Sequence, residues 1–126
     1  MSGSALQLMA GEYAVWKLPP DAPAPQLTND AFSSVTRTPT ELSVVSAAAA
    51  VPPEVEAETG WRCLEVAGPL SFELTGVLAG LSAPLAAAGI PIFVVSTYDT
   101  DYLLVKSRDL DRAKIALERA GHQVKT

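Results

Sequence analysis

Gly89-Ile90-Pro91-Ile92-Phe93-Val94-Val95-Ser96-Thr97-Tyr98-Asp99-Thr100-Asp101-Tyr102-Leu103-Leu104-Val105 is the stretch that decides the fold. Ile92–Ser96 and Tyr102–Lys106 are apolar runs rich in β-branched and aromatic residues. The polar turn between them makes them a hairpin. Upstream, Leu78, Leu81, Leu85 and Ala88 recur at i, i+3, i+7 and i+10, which predicts a helix over 76–88 that buries this face. Thr75 is its expected cap and Gly89 its stop. Pro84 lies inside it, opposite the carbonyl of Gly80, and predicts a mild kink or a tightened first half. Downstream, Leu110, Ala113, Leu117 and Ala120 mark a second buried helix face, with Asp109 or Ser107 as cap and Gly121 as stop. Trp61–Val66 reads as a strand before the first helix, with a connector over Gly68–Glu73. His122–Val124 reads as a short closing strand. The order is βαββαβ.

The N-terminal half repeats parts of this pattern. Tyr13–Leu18 alternates as a strand, and Pro19-Pro20-Asp21-Ala22-Pro23-Ala24-Pro25 can only be loop, because each proline removes a backbone donor. Ala31–Arg37 and Glu41–Ala47 read as strands around the turn Thr38-Pro39-Thr40. Pro52 and Pro53 open an expected short helix over Glu54–Glu58, ended by Gly60. At an offset of 60 residues, Val35-Thr36 matches Val95-Ser96, Thr40-Glu41 matches Thr100-Asp101, and Val44-Val45 matches Leu104-Val105. The chain therefore reads as α+β, with two tandem ferredoxin-like units built on antiparallel sheets. Residues 1–60 form a reduced unit that has lost its first helix to the proline loop, and residues 61–126 form a complete one.

Bulk properties exclude several classes. The chain has 126 residues, 48% of them apolar, enough for a real core. No run is long and apolar enough to span a membrane, and no basic start precedes an apolar run as in a signal peptide. A net charge of −5 without Lys/Arg clusters argues against nucleic acid or an anionic membrane as partner. The single cysteine, Cys63, precludes an internal disulfide and suits the cytoplasm. It lies among apolar residues and reads as packing. One histidine and one cysteine are too few for a structural zinc site, and the carboxylates lack calcium-loop spacing, so no metal is expected. Phosphate-binding glycine motifs are absent, so no cofactor is expected either. His122 reads as solvated, and with no second histidine no triad can be assembled. Nothing in the sequence points to an enzyme.

Two segments point to a ligand. The helix start Thr75-Gly76-Val77-Leu78 presents backbone N–H groups without intrahelical partners, suited to a carboxylate. Ser96-Thr97-Tyr98-Asp99-Thr100-Asp101 offers acceptors for an ammonium group, Asp101 above all. Together they suit a small zwitterion. The plainer alternatives are an ordinary capped helix and a polar hairpin turn. Ser33, Ser34 and Thr36 occupy the matching place in the first unit, where exposed strand hydroxyls are the default.

Trp61-Arg62-Cys63-Leu64-Glu65-Val66, then Leu74-Thr75-Gly76-Val77-Leu78, then Ile92–Val105 with its Ser-Thr-Tyr-Asp-Thr-Asp core, resemble the ACT-domain family. The resemblance is to its branch of small bacterial proteins related to the CASTOR-type arginine sensors. Phe32–Pro39 with Glu41–Val45 resembles the first ACT unit of that branch. The resemblance implies a ferredoxin-like sandwich that binds small effectors, commonly amino acids, between ACT units. It implies ligand contacts at Ser34 and Val35, at Gly76 and Val77, and at Thr97 and Asp101, with Thr75, Leu78, Ser96 and Tyr98 beside them. Asp101 would hold the α-ammonium group and the helix start the α-carboxylate. The implied protein is a non-catalytic regulator that dimerises and acts on a protein partner. The alternative is a structural dimerisation or interaction module with a vestigial pocket.

Overall fold

The structure is a computed structural model and describes residues 3–126. Its strands are β1 (Ala5–Leu8), β2 (Tyr13–Leu18), β3 (Ser34–Arg37), β4 (Leu42–Ala47), β5 (Glu56–Val66), β6 (Ile92–Ser96), β7 (Asp101–Lys106) and β8 (Gln123–Lys125). The helices are α1 (Val77–Ala87) and α2 (Leu110–Arg119). The chain divides into an N-terminal unit, Gly11–Trp61, and a C-terminal unit formed by residues 3–10 and Arg62–Thr126. The sheet is of the ferredoxin-like kind.

In the C-terminal unit, β5 pairs with β1 through Leu64–Val66 and also with β7, which pairs antiparallel with β6. β8 closes the sheet by pairing parallel to β1. Leu6, Leu64, Val66, Leu103, Val105 and Val124 of the strands meet Leu81 and Leu85 of α1 and Ala113 and Leu117 of α2 in one core. Each fully buried leucine contributes about 1.5–3 kcal/mol relative to exposure. β1 has no counterpart in the sequence reading. It is short, and only its partners reveal it: Leu6 lies opposite both Val66 and Val124. Residues 3–10 thus fall with the C-terminal unit rather than within a 1–60 block.

The helices depart from expectation at their starts. Thr75 does not cap α1; Gly76 holds the N-cap position at φ 79°, with no side-chain cap. That left-handed backbone suits glycine, and it leaves the first turn of the helix uncovered. Leu78 is 37% exposed, off the buried face assigned to it. Asp109 holds the N-cap position of α2, but its carboxylate pairs with Arg112 at 2.9 Å instead of capping. Arg112 also donates to the carbonyl of Ala88, at the end of α1, at 3.0 Å. Leu110 and Ala120 are only half-buried.

In the N-terminal unit the strand order is β3-β4-β2-β5, with β5 pairing through Glu56–Trp61. The expected helix over Glu54–Glu58 does not form. Glu56, Ala57 and Glu58 pair with Lys17, Trp16 and Val15, because β2 needs a second partner strand. Ala48–Ala50 is a single 3-10 turn. Leu27 of the proline loop, with Val51 and Val55, covers the apolar face of Ala14, Trp16 and Val44. Trp16 satisfies its indole N–H on the Ser46 hydroxyl at 2.9 Å.

Both units contain a hairpin with the same four-residue turn headed by threonine. The Thr38 N–H donates to the Glu41 carbonyl at 2.9 Å, and the Thr97 N–H to the Thr100 carbonyl at 2.7 Å. Each threonine hydroxyl also accepts from the amide of the fourth residue. The turns therefore correspond at an offset of 59, Thr38 to Thr97 and Glu41 to Thr100, one residue from the sequence match at 60. In this register Leu42, not Glu41, corresponds to Asp101.

Candidate functional site

The β6–β7 turn is held from three sides. Ser96 lies opposite Asp101 at the base of the turn. The buried Thr100 hydroxyl donates to the Val66 carbonyl at 2.6 Å. The Leu70 N–H donates to the Asp99 carbonyl at 2.7 Å, which fastens the connector before α1 to the turn. Gly68 makes that approach possible: a Cβ there would lie 3.0 Å from the Asp99 carbonyl oxygen and 3.2 Å from Thr100 Cβ. Phe72 of the connector meets Tyr98 of the turn edge-to-face, with ring centroids 5.0 Å apart.

Connector, helix start and turn enclose a cleft of about 380 Å³. Seven of the ten residues expected at the site line it: Gly76, Val77, Leu78, Ser96, Thr97, Tyr98 and Asp101. Thr75 lines an adjoining cleft of about 350 Å³, together with Ser4 and His122. Ser34 and Val35 lie on β3 of the other unit. They are successive strand residues and so point to opposite faces: Ser34 pairs with Val45 and Val35 with Val44.

The electrostatics of the cleft are divided. Asp101 accepts from the Ser96 hydroxyl at 2.5 Å. One carboxylate oxygen thereby fixes the side chain and the other remains for a cation. Across the cleft, the N–H groups of Val77, Leu78 and Ala79 have no intrahelical acceptor, and no side chain caps them. They form the positive end of the α1 dipole. No lysine or arginine lines the cleft. Among the described residues, no group of three or more His, Cys, Asp or Glu is arranged to hold a metal.

Leu70 and Phe72 of the connector, and Leu74 just after it, line the cleft without having been expected there. Their signal was the apolar spacing of a segment read only as a connector. Cys63 is fully buried on β5, and burial, with the nearby Glu65 charge, pushes its thiol up to about 12. It is a packing residue and no nucleophile at neutral pH. Tyr102 donates to Glu65 at 2.9 Å, and burial together with that bond pushes its phenol up to about 12.

The family model described as ACT domain matches residues 56–119. The human cytosolic arginine sensor for mTORC1 subunit 1 is 35% identical over 60 residues, 47% of this chain and 18% of that sensor. The chain thus spans less than a fifth of the length of the curated relatives it matches. Protein Atu0741 from Agobacterium tumefaciens is 37% identical and superposes with a TM-score of 0.92, covering 98% of this chain and 93% of that one. The regulatory subunit of aspartate kinase from Thermus thermophilus, in its ligand-free form, shares the fold at 13% identity and a TM-score of 0.65, covering 95% of this chain and 99% of that one.

Proposed function

The chain belongs to the ACT-domain family, and on that footing we propose that it is a non-catalytic sensor that binds a free amino acid in the cleft of its C-terminal unit. The observation that carries this reading is the pair of opposite charge preferences lining one cleft. Asp101, held by Ser96, takes the α-ammonium group, and the uncapped start of α1 takes the α-carboxylate. Gly76, without a side chain, lets the carboxylate approach the backbone. Thr97 adds a hydroxyl beside Asp101, and Val77, Leu78 and Tyr98 wall the site. Thr75 belongs to the same helix start.

The proposal extends to a complete ACT unit over 61–126, which β1 joins in the fold, and a reduced one over the rest of the N-terminal half. It also extends to a cytoplasmic homodimer in which Ser34 and Val35 contribute a further wall of the site, and to a regulated protein partner. The similarity to a cytosolic arginine sensor supports a regulatory role of this kind.

The test is thermal unfolding against a panel of the common amino acids. A ligand at about 100 times its Kd adds about 2.7 kcal/mol of stability. A shift with one or a few amino acids supports the sensor. No shift with any of them favours a structural dimerisation module with a vestigial pocket.

A further inference from the structure

The rim of the cleft is far more apolar than a zwitterion needs. Six large apolar or aromatic side chains are exposed among the described residues, and four of them, Phe72, Leu74, Leu78 and Tyr98, line this cleft. Phe72 and Tyr98 are 74% and 81% exposed and already hold each other edge-to-face. The exposed faces of this pair can take a third ring, by offset stacking or as a further edge-to-face partner. We infer that the cleft selects an α-amino acid with an aromatic side chain, whose ring lies against Phe72 and Tyr98 with Leu74 and Leu78 beneath it. The inference rests on the amino-acid reading above and names the side chain that reading leaves open.

Competing side chains fit less well. An acidic one meets Asp99 and Asp101 with no lysine or arginine in the lining. A cationic one has only Asp99 to pair with once Asp101 holds the ammonium group. Asp99 is exposed, and an exposed pair in salt contributes little. By contrast, about 55 Å² of apolar surface removed from water is worth a factor of ten in affinity. A ring offers more such surface than a short aliphatic chain.

The experiment is calorimetric titration of the full chain with L-phenylalanine, L-leucine, L-alanine and L-arginine. It includes two truncated probes: phenethylamine, which lacks the carboxylate, and 3-phenylpropionate, which lacks the ammonium group. Phenylalanine is expected to bind at least tenfold more tightly than alanine or arginine, and more tightly than leucine. Phe72→Ala and Tyr98→Ala should each remove most of that margin. Tighter binding of arginine or leucine, or a margin that survives both substitutions, overturns the aromatic assignment and leaves the amino-acid reading in place. If both truncated probes bind as tightly as phenylalanine, the charged ends contribute nothing: the amino-acid reading fails and the inference with it, and only a ring-binding site at Phe72 and Tyr98 remains. Absence of binding by every probe overturns both.

Discussion

His122 supplies the hydrogen bond that Pro84 cannot. In α1 the carbonyl of Gly80 would normally accept from the amide of residue 84, but proline has no N–H. The Nε2 atom of His122 lies 2.8 Å from that carbonyl oxygen. On its other side, Nδ1 accepts the Ser4 N–H at 2.9 Å. A carbonyl can only accept and an amide N–H can only donate, so in this geometry Nε2 donates and Nδ1 accepts. A residue that sequence alone leaves to solvent thus ties the N-terminal strand segment to the middle of α1.

This arrangement predicts coupling. His122→Ala should cost about 0.5–1.5 kcal/mol, because two backbone groups lose a hydrogen-bond partner. Pro84→Ala restores an N–H to the helix. In that background His122→Ala should cost clearly less, since only the Ser4 amide is then abandoned. Urea unfolding of the two single variants and the double variant measures the coupling. Equal costs in both backgrounds would refute it.

Gly68 and Gly76 should fail for different reasons. Gly76 has open space around its missing Cβ but a φ of 79°, so Gly76→Ala should cost about 1–2 kcal/mol of backbone strain, with the fold intact. Gly76→Leu should add a steric block to ligand binding. At Gly68 the limit is space: Gly68→Val must push the Asp99 carbonyl away and should cost about 1–3 kcal/mol. Gly68→Val should also loosen the Leu70 contact to the turn, seen as faster amide exchange at Leu70.

Asp101→Asn keeps the shape of the side chain and removes its charge. Binding of the best amino acid from the panel should weaken by roughly 1.5–3 kcal/mol, with thermal stability of the free protein little changed. Calorimetry against the wild type is the measurement. Unchanged affinity would move the ammonium site elsewhere.

Stability should fall in alkali. Cys63 rises from an ordinary 9.0 to about 12 in the folded chain, and Tyr102 from 10.0 to about 12. Above the unfolded values the unfolded chain releases protons that the native chain keeps. Protons then favour the folded state, and its stability is lost as pH rises through this window. Urea midpoints at about pH 8 and about pH 10.5 test the sign, and Cys63→Ala should flatten the slope. A midpoint that rises with pH would contradict the burial of Cys63.

The two halves of the chain were legible to different degrees. The C-terminal helices and the β6–β7 hairpin declare themselves through apolar spacing and glycine stops, which act over a few residues. The segment Glu54–Glu58 misleads because two prolines and three acids look like a helix start, and the pairing demand of β2 overrides that local signal. The turn repeat is visible to within one residue, but a single residue decides whether Glu41 or Leu42 corresponds to Asp101, and only the hydrogen bonds of the turn settle it.

The sequence by itself determined the order of elements in the C-terminal unit, the burial of Cys63 and the two segments that meet in the cleft, because all of these follow from local periodicity and residue chemistry. Tertiary structure alone decided three further things. It made a strand of Ala5–Leu8, gave His122 its two partners, and brought Leu70, Phe72 and Leu74 to the rim of the cleft beside Tyr98. Each depends on residues distant in the chain. A strand as short as β1 exists only through its neighbours, and a hydrogen bond to an orphaned carbonyl exists only where the fold brings a donor within reach.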